Sequence, residues 1–150
     1  MRKRDYMSDV DYLYYRKRQQ EKKIEESENR IANYKNKIER LESYKKKVST
    51  YKSDFYTEFL KYLNEKNINN LSAPLCELWK GDKYTEIVDN YVWDLDCEID
   101  KFHKKIDDLL DDVCDEINRL KGKIYDEQGI IGSIKNVIAD ISNEIEKFFN

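Results

Sequence analysis

The chain has 150 residues, 39% of them charged and 39% hydrophobic, with a net charge of -3, four glycines and one proline. Such a composition argues for long amphipathic or coiled-coil helices and against an ordinary globular domain. Regular spacing of the apolar residues and a small net charge exclude disorder for most of the chain, and no run of about 18 apolar residues is available to span a bilayer.

The N-terminus, Met1-Arg2-Lys3-Arg4-Asp5-Tyr6, lacks the apolar segment of a cleaved signal peptide. The expectation is a protein made in the cytosol, which leaves, if it does, by a route that needs no such signal. Arg2, Lys3, Arg4, Arg16, Lys17, Arg18, Lys22 and Lys23 could attract phosphate, but Glu and Asp are interspersed and the pI is near 5.4. Nucleic acid is therefore not an expected partner.

From Val10 the residues Leu13, Lys17, Gln20, Ile24, Ser27, Ile31, Tyr34, Ile38 and Leu41 follow in alternating steps of three and four. This periodicity predicts one helix. Its stripe is polar at Lys17, Gln20 and Ser27 and strong from Ile24 to Leu41. Beyond Leu41 the register is expected to slip onto an aromatic face, Tyr44, Val48, Tyr51, Phe55, Phe59 and Leu63. Helix one should run from about residue 8 to 65.

The segment Asn67-Ile68-Asn69-Asn70-Leu71-Ser72-Ala73-Pro74 holds the only proline among turn-favouring Asn and Ser, so no helix should cross it. The corner closes with Leu75-Cys76-Glu77-Leu78-Trp79-Lys80-Gly81-Asp82. Gly81 can take a positive φ, Asp82 can cap a new helix, and Trp79 can plug the gap between diverging helices near Phe59, Leu63 and Tyr84. A capped loop with a buried aromatic would account for the corner by itself.

Helix two is predicted from about Asp82, on a stripe of Tyr84, Val88, Tyr91, Leu95, Ile99, Phe102, Ile106, Leu109, Val113, Ile117, Leu120 and Ile124, then Ile131, Ile134, Ile138, Ile141, Ile145 and Phe148. One stripe position falls on Glu127. Gly122, Gly129 and Gly132 crowd the same region, which predicts a kink or short break near Gly129 and pieces over about 82–128 and 130–149.

Two long helices joined by a short corner fold back antiparallel, giving an all-α helical hairpin as the predicted fold, a single domain over 1–150. Residues 82 to 118 hold 13 acidic and 4 basic residues, and residues 29 to 65 hold 9 basic and 5 acidic ones. With a corner near residue 73 those two stretches face each other with opposite charge, although each could also be only a solvated face.

Cys76, Cys97 and Cys114 form no CxxC pair and leave one unmatched, which suits a reducing compartment. His103 has Asp100 and Asp107 on its helix face, a half-site at most, and no metal or other cofactor is expected. No Gly-rich phosphate loop, Ser/His/Asp set or Cys/His pair is present, so the chain reads as a non-enzyme.

Leu78-Trp79-Lys80-Gly81, set between two coiled-coil helices in the middle of a small chain, resembles the Trp-x-Gly superfamily of type VII secretion. Within it the chain is most similar to the YwqH-like helical proteins that accompany LXG toxins, which begin with a Lys/Glu-rich coiled coil like that from Arg16 to Lys47. The resemblance implies a helical hairpin that binds the N-terminal helical domain of an LXG-type toxin, alone or with a second small helical protein, and helps deliver it to the secretion ATPase. Trp79 and Gly81 carry the motif. The chain departs from the family's export signal, Tyr-x-x-x-Asp/Glu, because Tyr125 is followed four residues on by Gly129, and Phe148 and Phe149 lie too near the end to start one. Export would then depend on a partner, or the chain would stay behind as a chaperone.

Tyr14, Tyr15, Tyr56, Tyr62, Val92, Trp93, Leu110 and Ile130 fall off the principal stripes, and a two-helix pair covers one narrow face of each helix. Such residues predict an interface, with Trp93 and Tyr62 as anchors beside Tyr56 and Val92. The occupant is a toxin's N-terminal domain or a second copy of the chain. A self-assembling coiled-coil scaffold and a membrane-active helical bundle are the competing functions, the latter without stable membrane insertion.

Overall fold

The computed structural model describes the backbone of residues 2–65 and 82–150, and the side chains of 8–59, 61, 90, 94–95 and 97–150. The protein is an all-α hairpin of two helices, α1 (Arg2–Glu65, 64 residues) and α2 (Asp82–Phe149, 68 residues), with no strand among the described residues. α1 already begins at Arg2, ahead of the expected start near residue 8. The corner, with Trp79 and Gly81 and the expected packing of Trp79, lies outside the described residues.

α2 runs as one helix through Gly122, Gly129 and Gly132, so the expected division near Gly129 is not formed. Three helical glycines cost on the order of 1 kcal/mol each relative to alanine. The stripe on either side of them is uninterrupted, and burial of Leu120, Ile141 and Ile145 against α1 outweighs that cost.

Pairing of the helices is antiparallel. Arg30 contacts Glu127, 97 residues away, and Lys52 contacts Asp107, 55 residues away. About two residues of separation are thus lost for each residue advanced along α1. The register differs from the expected one. Lys52 and Arg30 would have faced about residues 95 and 117, and they meet partners ten to twelve residues further along α2. In both of these cross-helix ion pairs α1 supplies the cation and α2 the anion, so the sense of the charge match holds although its alignment shifts.

The two helices contribute to two compact units, Met1–Arg40 with Glu116–Asn150, and Leu41–Asp115. In the first unit the alternating stripe is the contact seam, and Leu13, Ile38, Ile117, Leu120, Ile141 and Ile145 are buried there. Leu13, Ile141 and Ile145 form one cluster. In the second unit Val113 is the one buried apolar residue among those described.

The predicted slip after Leu41 does not occur in the second unit. The better-covered residues there are Leu41, Lys45, Val48, Lys52 and Phe59 on α1, with Ile99, His103, Ile106, Leu110 and Val113 on α2, which continues the strict three-four alternation. Tyr44, Tyr51, Phe102 and Leu109 are exposed instead, and Leu110, expected off the stripe, lies in it. Continuity of the helical repeat outweighs the greater hydrophobicity of the aromatic residues. A lysine can occupy a seam position by packing its methylenes and bringing its ammonium out to the rim.

Candidate functional site: polar seam pairs and an uncovered apolar strip

Ser27 and Glu127 are the polar interruptions of the two stripes in the first unit, and they are bonded to each other. The Ser27 side chain is fully buried and its Oγ donates to Oε2 of Glu127. Arg30 donates to the same carboxylate through Nε (2.8 Å to Oε1) and Nη2 (3.2 Å to Oε2), with the Glu127 side chain 13% exposed. The bidentate guanidinium, then the Ser27 hydroxyl, hold the Glu127 carboxyl below its ordinary range, and the same pair raises Arg30. Beside it, Lys123 Nζ stands 5.6 Å from the centre of the Tyr34 ring, and Arg119 bonds to Glu116 within α2 and lowers its pKa.

The second unit has two unlike sides. On one, Lys52 reaches Asp107, the neighbouring Cys114 raises the Lys45 ammonium, and Ser49, Ser53 and Tyr56 line a shallow open groove beside His103. Asp107 is therefore engaged by Lys52 rather than set beside His103 as a ligand. The imidazole instead lies among rings, 6.2 Å from Phe55, 6.3 Å from Phe102 and 5.7 Å from Tyr56, with Nε2 buried and without a hydrogen-bond partner. The other side carries Tyr44, Tyr51 and Phe55 from α1 and Leu95, Phe102 and Leu109 from α2, all exposed. Phe55 and Phe102 touch across the seam at 5.4 Å, which joins the two rows into one strip.

Of the residues expected to bind a partner, Tyr56 is half exposed and packs on His103, on the polar side. Tyr62 belongs to α1, and Val92 and Trp93 to α2, but their side chains lie outside the described residues, as do Trp79 and Gly81 altogether. Tyr14, Tyr15 and Ile130 are exposed as expected. Sequence reasoning placed Tyr44, Tyr51, Phe102 and Leu109 in the seam and so missed the strip. Extending the three-four count past Leu41 without a slip would have placed Tyr44 and Tyr51 in it. Among the described residues no group of His, Cys, Asp and Glu is arranged to hold a metal, and no helix is long and apolar enough to cross a membrane.

Searches of curated proteins and of solved structures returned no match. The YwqH-like family matches residues 16–143, a span that takes in the Ser27–Glu127 and Arg30–Glu127 pairs, most of both helices and the whole of the second unit. A match over so much of a two-helix chain shows that this protein belongs to the YwqH-like family.

Proposed function

We propose that the chain is a non-enzymatic helical partner, or targeting chaperone, of an LXG-type toxin in type VII secretion, and that it binds the toxin's N-terminal helical domain. The observation that carries this reading is the apolar surface of the second unit, where large apolar side chains stand exposed on both helices and Val113 is the one buried apolar residue among those described. Two helices with such a surface are stabilised by further helices laid alongside. Membership of the YwqH-like family and the Trp79-Lys80-Gly81 corner support a toxin domain as the source of those helices. In this reading Tyr56, Tyr62, Val92 and Trp93 contact the toxin domain, and the complex either remains in the cytosol or leaves with a partner that supplies the export signal.

Co-expression with the N-terminal domain of an LXG toxin encoded beside this chain tests the proposal. The two should co-elute on size exclusion, and Trp93→Ala with Tyr62→Ala should weaken the complex. Failure of the wild type to co-elute, or equal recovery of wild type and double variant, overturns it.

A further inference from the structure

The exposed strip of the second unit has rims of a particular charge order. On each helix, the residue one before one seam row (Lys45 and Lys52 on α1, His103 and Leu110 on α2) points out of the plane of the two-helix layer, and the residue three after it or four before it lies on the outer shoulder. Along α1 that shoulder carries Lys47, Asp54 and Lys61, and along α2 it carries Glu98, Lys105 and Asp112. The observed contacts fix which residues are level. Their numbers add to 157 for Phe55 with Phe102 and to 159 for Lys52 with Asp107 and Tyr56 with His103.

We propose that a second copy of this chain covers the strip, packed face to face about a two-fold axis that runs along the helices, so that α1 of each copy lies on α2 of the other. Such an axis preserves level, and it brings Lys47 to Asp112, Asp54 to Lys105 and Lys61 to Glu98 of the second copy, each pair again adding to 159. All three shoulder contacts are between opposite charges, and the symmetry makes each of them twice. Of the apolar residues, Tyr51 then lies over Leu109 and Phe55 over Phe102, and Glu58, which interrupts the α1 row, comes level with Lys101. A two-fold axis across the helices, centred on the strip, does the reverse. It sets Lys47 against Lys61, Asp54 against Asp54, Glu98 against Asp112 and Lys105 against Lys105. Charge order therefore selects a parallel pair of hairpins, joined on the face away from Tyr56.

Sedimentation equilibrium on the purified full chain, over roughly 1–100 μM, reads the association. Two charge-reversed variants are compared with it, one carrying Lys47→Glu and Lys61→Glu, the other Glu98→Lys and Asp112→Lys. The wild type should dimerise, each variant alone should dimerise on the order of tenfold more weakly or worse, and an equimolar mixture of the two should recover the wild-type constant. Recovery also shows that both variants are folded, and the helical circular dichroism of each should match the wild type. A monomeric wild type, variants that dimerise as tightly as the wild type, or folded variants whose mixture stays dissociated would each overturn the proposal. A monomeric wild type whose Tyr51→Glu/Phe102→Glu variant no longer binds the toxin domain would assign the strip to that domain instead.

Discussion

Ser27 and Glu127 each interrupt an apolar stripe, and each would be destabilising if it faced aliphatic side chains. Together with Arg30 they satisfy one another, and the pairing works only in the register observed. A buried carboxylate left without its donors is far more costly than the pair is stabilising, so the trio acts chiefly against slipped alignments. The pH dependence follows from sign. Glu127 has a folded pKa held below its ordinary value of 4.5, first by Arg30 and then by Ser27. Its contribution is therefore present above the unfolded pKa and is lost as pH falls through the folded one. In thermal melts between about pH 7 and pH 3, Glu127→Gln should lower the melting temperature at neutral pH and flatten its decline on the acid side. Glu116, lowered by Arg119, should leave part of the decline in place. An unchanged acid slope would contradict the role given to Glu127. His103 presents the opposite case, a buried Nε2 with no partner among aromatic rings. His103→Leu removes the unsatisfied atom and should raise stability by about 1 kcal/mol, measured by urea unfolding. A loss of stability would mean that the imidazole is satisfied.

At the scale of the helices, the glycines of α2 are the clearest test. A Cβ placed at Gly122, Gly129 or Gly132 meets nothing within 4 Å, so no close approach requires glycine there. Each Gly→Ala change should stabilise by about 0.5–1 kcal/mol, close to additively, with the triple variant showing a higher urea midpoint and an unchanged slope. Destabilisation at any of the three would point to a contact that the hairpin alone does not make. The same helix shows what was readable from sequence. Its stripe and the antiparallel hairpin follow from periodicity and from one breaker-rich segment. The register does not, because a stripe that repeats every seven residues remains matched after a shift of seven, and only residues that break the stripe carry alignment. Ser27 and Glu127 held that information in the sequence. The seam past Leu41 was misread for a different reason. Hydrophobicity ranks Tyr44, Tyr51 and Phe102 above Lys45, Lys52 and His103, whereas the continuous helical repeat and the reach of lysine put the latter inside. The residues expected to anchor a partner were chosen by their distance from that misread seam, and the strip built from Tyr44, Tyr51 and Phe102 was therefore absent from them.

For the whole molecule, the unequal cores of the two units set an expectation about local stability. Among the described residues the first unit buries six apolar side chains from both helices, and the second buries Val113 alone. With helix propensity supplying little by itself, backbone hydrogen bonds around the described residues of the second unit should open more readily than those of the first. Native-state hydrogen exchange at a concentration too low for association should show amides of residues 41–59 and 94–115 exchanging faster than those of residues 10–40 and 117–145. Raising the concentration should slow exchange in the second unit while leaving the first unit largely unchanged, because a second copy adds burial only where the core is thin. The toxin's N-terminal domain should do the same at low concentration of the chain. Uniform protection in the dilute wild type would show that the hairpin is already complete, and it would remove the reason for assigning a partner to the second unit.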